Sequence, residues 1–146
     1  MTISKAPGET VVDVLTEQVH LTRGNTGGLF NARLESGFDH LGRTSPLDTE
    51  WAHGSTADDL ASLDFTTWDV AFGGQFSNPG ALIGVPMVVH LLSDDIYLDF
   101  TLTDWGGVAT QGRFSYERSS PVPVPAALLL LAGALPLLVR GTRRRC

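Results

Sequence analysis

The sequence predicts an all-β domain, an antiparallel β-sandwich over residues 1–118, followed by a single C-terminal transmembrane helix within residues 119–146. Three observations carry this. Short apolar–polar alternations recur between glycine-rich turns, no long 3.6-residue apolar stripe interrupts them, and the composition breaks after Arg118. At 146 residues the chain has room for one domain plus an appendage. Hydrophobic residues at 42% against charged residues at 18% suit a packed core rather than disorder.

Taken in order, Val11–Leu15 and Val19–Thr22 read as strands, and Gly24–Gly28 as a turn. Leu60–Leu63 and Phe65–Phe72 fit strands, or a short helix and then a strand, with Asp58-Asp59 as a helix start. Gly73–Gly80 is turn material. Val85–Leu92 is rich in valine and leucine and reads as a strand whose start Pro86 should place at an edge. Ser93-Asp94-Asp95 makes the turn into Ile96–Thr103, where Ile96, Leu98, Phe100 and Leu102 alternate with polar residues. Gly106-Gly107 and Gly112 bracket a loop, after which Gly112–Arg118 alternates again with Phe114 and Tyr116 on one face. The expected core is Phe30, Trp51, Phe65, Trp68, Val88, Leu91, Ile96, Leu98, Phe100, Leu102 and Phe114. On this pattern residues 1–118 should hold less than about 10% helix.

Charge is distributed unevenly. The formal net charge of −6 conceals a body, residues 1–118, with 16 acidic and 6 basic side chains, a net of −10. Such a surface repels phosphate backbones, so nucleic acid is not an expected partner. The lone Cys146 excludes an internal disulfide framework and any multi-cysteine metal site.

Residues 119–139 are 21 uncharged positions, and Ala126–Val139 is apolar apart from Gly133 and Pro136. Fourteen helical residues span only about 21 Å, a short anchor against a hydrocarbon core of about 30 Å. Arg140, Arg143, Arg144 and Arg145 follow it, so the positive-inside rule puts them in the cytoplasm and the acidic body outside. The prolines at 121, 123 and 125 keep the entry extended.

The segment Ser120-Pro121-Val122-Pro123-Val124-Pro125-Ala126-Ala127, the apolar run and the arginines together resemble a PEP-CTERM-type sorting tail. The variant with a Val-Pro-Leu-Pro-Ala signature fits best, read here as Val122, Pro123, Val124, Pro125 and Ala126. Val124 stands where leucine or glutamate is commoner, and Cys146 follows the arginines. The resemblance covers about the last 27 residues. It implies recognition by an exosortase in the inner membrane of a Gram-negative bacterium that makes exopolysaccharide. It implies cleavage near the proline motif and delivery of the body to the cell surface or matrix. The body is also similar to a small group of sorting-tail proteins without an assigned activity, through Gly24–Asn31, Thr49–Ala52, Asp94–Asp99 and Thr103–Gly107. Met1–Leu15 contains Lys5, Glu9 and Asp13 and no apolar run, which leaves three readings: a true start upstream of Met1, the plainest of them and one that would truncate the domain at its N-terminus, a remnant gene, or unconventional export.

Candidate chemistry in the body is sparse. Asp94, Asp95, Asp99 and Asp104, with His90 nearby, are the densest acidic group and offer hard oxygens to Ca²⁺. Asp95 and Asp99 lie four strand residues apart, about 13 Å, so turn residues and solvated charges are the commoner explanation. His20, His40, His53 and His90 show no metal-ligand spacing, and Glu35 with Glu50 is the sort of carboxylate pair any acidic chain contains. No nucleophile elbow or phosphate loop occurs, so no cofactor or metal is expected. Trp51 and Trp68 read as core, whereas Trp105 beside Gly106-Gly107 is the candidate for exposure and glycan contact. The leading expectation is therefore a non-catalytic, exosortase-processed surface or matrix protein. The alternatives are an exopolysaccharide-binding module using Trp105, and a secreted hydrolase using acidic side chains.

Overall fold

The computed structural model describes residues 1–121. In chain order the strands are β1 (Thr2–Lys5), β2 (Val12–Val14), β3 (His20–Arg23), β4 (Leu29–Asn31), β5 (Thr49–His53), β6 (Pro86–Leu91), β7 (Ile96–Trp105) and β8 (Phe114–Arg118). A four-residue helix, α1 (Trp68–Ala71), lies between β5 and β6, with single 3-10 turns at Leu60–Ser62, Pro79–Leu82 and Val108–Thr110. All pairings are antiparallel. The larger sheet has the order β1-β8-β7-β6-β5, and the smaller has β2-β3-β4. The described residues are thus all-β with little helix, as their alternations predict.

The two sheets contribute to one core. Leu15, Val19, Leu21 and Leu29 from the small-sheet side meet Trp51, Met87, Val89, Leu91, Leu98, Phe100, Leu102, Phe114 and Tyr116 from the large one. Burying each large side chain of this kind contributes about 1.5–3 kcal/mol. Three expected core residues, Phe30, Phe65 and Ile96, are only half-buried. On β4 the alternation runs in the other phase, so Leu29 and Asn31 face inward and Phe30 outward. Phe65 lies edge-on over His90 and Tyr97, outside the main cluster, and Ile96 sits at the start of its strand at the cluster's margin.

The expected hairpin is present, with Asp95 in the left-handed conformation (φ 52°) before β7. Pro86, however, does not mark an edge strand: β6 lies between β5 and β7. Proline is tolerated because it is the first residue of the strand, where its carbonyl accepts from Gly54 N (3.1 Å) and no donor is required. The whole of Met87–Leu91 is buried, with Met87, Val89 and Leu91 in the main core and Val88 on the other face. A strap from residues 54–67 packs over that outer side. Its Thr56 N and Oγ1 donate to Asp99 at 2.8 and 2.7 Å, and Thr66 pairs with Trp51 as a single bridge. The segment Phe65–Phe72 is therefore not a strand but this bridge followed by α1, which Thr67 caps through Val70 N (3.3 Å). Asp59 does start a helical turn, accepting from Ala61 N at 3.2 Å.

A buried ion pair ties the sheets together. Asp13 on β2 accepts from Arg118 Nε and Nη2 on β8, both at 2.7 Å, and from the Tyr116 hydroxyl at 2.6 Å. Asp13 and Arg118 are 4% and 7% exposed, so this fork lies in a medium where an unpaired charge is expensive. Burial, then the neighbouring Asp13, pushes the Tyr116 hydroxyl well above the ordinary tyrosine range, while Arg118 opposes them. Below pH 10 the phenol is neutral in both the folded and the unfolded chain, and the stability is fully present. Above it the unfolded chain alone ionises, and stability falls by about 1.4 kcal/mol per pH unit. The stability difference between wild type and Tyr116→Phe should therefore be flat from pH 7 to 9 and shrink at that slope above pH 10 in denaturant titrations. A difference that stays constant to pH 11.5 contradicts the buried phenol.

Candidate functional site

One cleft of about 210 Å³ opens where loops from both sheets converge. Arg23 reaches it from the end of β3, Trp105 from the end of β7, and Trp68 and Asp69 from α1; Phe38, His40 and Arg43 come from the loop joining β4 to β5. Glycine makes this convergence possible. A Cβ on Gly28 would lie 2.4 Å from the Trp68 ring, and one on Gly27, whose φ is 79°, would lie 2.8 Å from His40. The β3–β4 turn therefore supplies bare backbone against which the aromatic rings lie.

The rings form a continuous cluster. Trp68 stacks on Phe72 with centroids 5.0 Å apart, lies 5.6 Å from Trp105, and meets Phe38 edge-on at 6.1 Å. Phe38 in turn meets His40 edge-on at 5.1 Å. Of the three tryptophans, Trp51 and Trp68 are buried and Trp105 is half-buried. The Arg23 guanidinium lies 3.5 Å over the Trp105 ring, so that face of the indole is occupied.

Two arginines set the electrostatics. Arg43 Nη2 donates to Asp69 at 2.6 Å, and this hydrogen bond raises its pKa. The loop that presents Arg43 is held by Asp39, which accepts from Leu41 N, Gly42 N and Thr44 Oγ1; the Gly42 amide, first among these, holds the Asp39 carboxyl below the usual range. Arg23 is only 5% exposed and has no carboxylate partner among the described residues. Its Nε donates to Gly27 O (2.9 Å), and its Nη1 donates to Gly106 O (2.8 Å) and Arg113 O (3.0 Å). Burial pulls its pKa down to about 10, with nearby Asp104 only partly opposing, so the group remains cationic at neutral pH.

The acidic cluster read from the sequence disperses. Asp94 accepts from Thr16 Oγ1 (2.6 Å), Asp99 is held by Thr56, and Asp104 takes the fork of Arg113 at 2.7 and 3.2 Å. Asp95 Oδ1 and Glu50 Oε1 lie 2.9 and 2.8 Å from opposite ring nitrogens of His90, which stacks on Tyr97 at 4.0 Å. This arrangement follows from register, since Glu50, His90 and Tyr97 are direct cross-strand neighbours on β5, β6 and β7. Among the described residues no three His, Cys, Asp or Glu side chains are placed to hold a metal ion. Glu35 accepts from Asn31 N (2.8 Å), Leu47 N (2.9 Å) and Ser45 Oγ, and shares no partner with Glu50. His20, His40, His53 and His90 go to different places: only His40 lines the cleft, and His53 Nε2 sits 2.7 Å from Ala71 O.

Of the residues that line the cleft, sequence reasoning singled out Trp105, weighed His40 only for metal-ligand spacing, and passed over Arg23, Arg43 and Phe38. The available signal was the scarcity of cations: Arg23 and Arg43 are two of only six basic residues in the acidic body. Their convergence depends on loop geometry that no alternation pattern encodes. The sorting motif Val122, Pro123, Val124, Pro125 and Ala126, the apolar run, the basic anchor Arg140, Arg143, Arg144 and Arg145, and Cys146 lie outside the described residues. No helix among the described residues is long and apolar enough to cross a membrane. No family model, curated protein or solved structure matches this chain.

Proposed function

We propose that the protein is an exported, non-catalytic surface or matrix protein of a Gram-negative bacterium, anchored by its C-terminal segment and processed there by an exosortase. One observation carries the reading: the order of proline motif, uncharged apolar run and arginine cluster over residues 119–146, appended to a body of net charge −10. The four arginines retain one end in the cytoplasm, while the alternating prolines present extended backbone to a peptidase just outside the membrane. The two sheets, packed as a sandwich, form the delivered cargo. The non-catalytic part of the reading rests on how its carboxylates are used. Glu35 braces a loop, and Glu50 and Asp95 flank His90; Asp94, Asp99 and Asp104 each hold a partner of their own.

The test is the full chain fused behind an export signal and expressed in hosts with and without an exosortase. Wild type should leave the membrane fraction only in the competent host. Pro123→Ala with Pro125→Ala should let helix extend through the motif and leave the protein in the membrane in both hosts. Equal release of wild type and variant contradicts the role given to the prolines. Equal release from both hosts contradicts the exosortase.

A further inference from the structure

We propose that the aromatic cleft binds one carboxylated pyranose, a hexuronate, either as a free sugar or as the end unit of a glycan. This stands independently of the tail. Arg43 and Asp69 neutralise each other, and Asp104 is taken by Arg113, which leaves the buried Arg23 without an ion-pair partner among the described residues. Its Nη2 makes no hydrogen bond among the described residues. The carboxylate of a hexuronate supplies the acceptor that Arg23 Nη2 lacks among the described residues.

Size and lining then select a ring. At about 30 Å³ per water, 210 Å³ corresponds to roughly seven water volumes, the scale of one substituted six-membered ring and below the usual drug-sized pocket. Half-buried Phe38 and exposed Val108 give that ring apolar walls for its C–H faces. Val108 on the wall is 70% exposed and leaves an apolar side chain open to a neighbouring sugar. The net charge of −10 on the surrounding body disfavours a long polyanion lying across the domain, so the acidic unit is a terminal one.

The experiment titrates the full chain in neutral detergent, following tryptophan fluorescence and calorimetry. The probes are glucuronate, its methyl glycoside, glucose, acetate, inorganic phosphate and a tripeptide with a free carboxylate. Glucuronate should saturate in the range of about 1 mM, with glucose, acetate, phosphate and the tripeptide at least about tenfold weaker. A methyl glycoside that binds as well as the free sugar assigns the site to a glycan end, and one that fails assigns it to the free sugar. Arg23→Gln should abolish saturation. Because Arg23 is buried, the exposed Val108 provides a variant that leaves the fold intact: Val108→Glu should weaken binding at least about fivefold, and Val108→Lys should not. Absence of saturation, equal affinity for glucose, equal affinity for acetate, phosphate or the tripeptide, or indifference to the sign of charge at position 108 overturns the proposal.

Discussion

Asp13→Ala should lower the stability of the full chain by about 3–5 kcal/mol, read as a fall in the urea midpoint at unchanged slope. The reason is the charge left behind. Arg118 is 7% exposed and directs Nε and Nη2 at Asp13, so its guanidinium would be buried with no counter-charge and Tyr116 would lose its acceptor. A domain of this size has about 5–15 kcal/mol in all, so the variant approaches the margin of folding. The double variant Asp13→Leu with Arg118→Met should recover most of the loss, because removing both ions also removes their desolvation penalty. A double variant as unstable as the single one would mean that the pair, rather than the unpaired charge, supplies the stability.

Trp51→Ala is the second large effect, at about 3–5 kcal/mol. Trp51 is fully buried on β5, meets Phe100 edge-on at 4.9 Å and Phe72 at 6.1 Å, and donates from Nε1 to Thr49 Oγ1 at 2.9 Å. Its backbone also closes the bridge to Thr66, at 2.7 and 2.8 Å, that anchors the outer strap. Truncation therefore opens a cavity where two layers meet. Trp105→Ala, at a half-buried residue of the cleft wall, should cost distinctly less in the same denaturant titration. Equal losses at the two positions would contradict the division between core and cleft.

How far these features can be read from sequence depends on whether they are periodic. The β6–β7 hairpin was legible because Ile96, Leu98, Phe100 and Leu102 repeat every second residue and an aspartate-rich turn precedes them. β4 misled because three residues cannot fix the phase of an alternation, so Phe30 read as core while Leu29 took that place. Phe65–Phe72 misled because its apolar residues face two different layers, one over His90 and one beneath the cleft. The Asp13–Arg118 fork joins residues 105 positions apart, and Arg23 meets Gly106 O across 83. Neither has a local signature. Asp13 stands among weak strand signals and Arg23 next to a turn, so only the tertiary fold shows that both are buried.

Intact mass tests most directly the proposal that residues 119–146 are a sorting signal removed at the proline motif. With an export signal supplied upstream, the protein recovered from an exosortase-competent host should end near Val122–Ala126, having lost Leu128–Val139 and the arginines from 140 onward. The same protein from a host lacking the enzyme should keep them. A released form from the competent host that still carries Leu128–Cys146 would contradict the account.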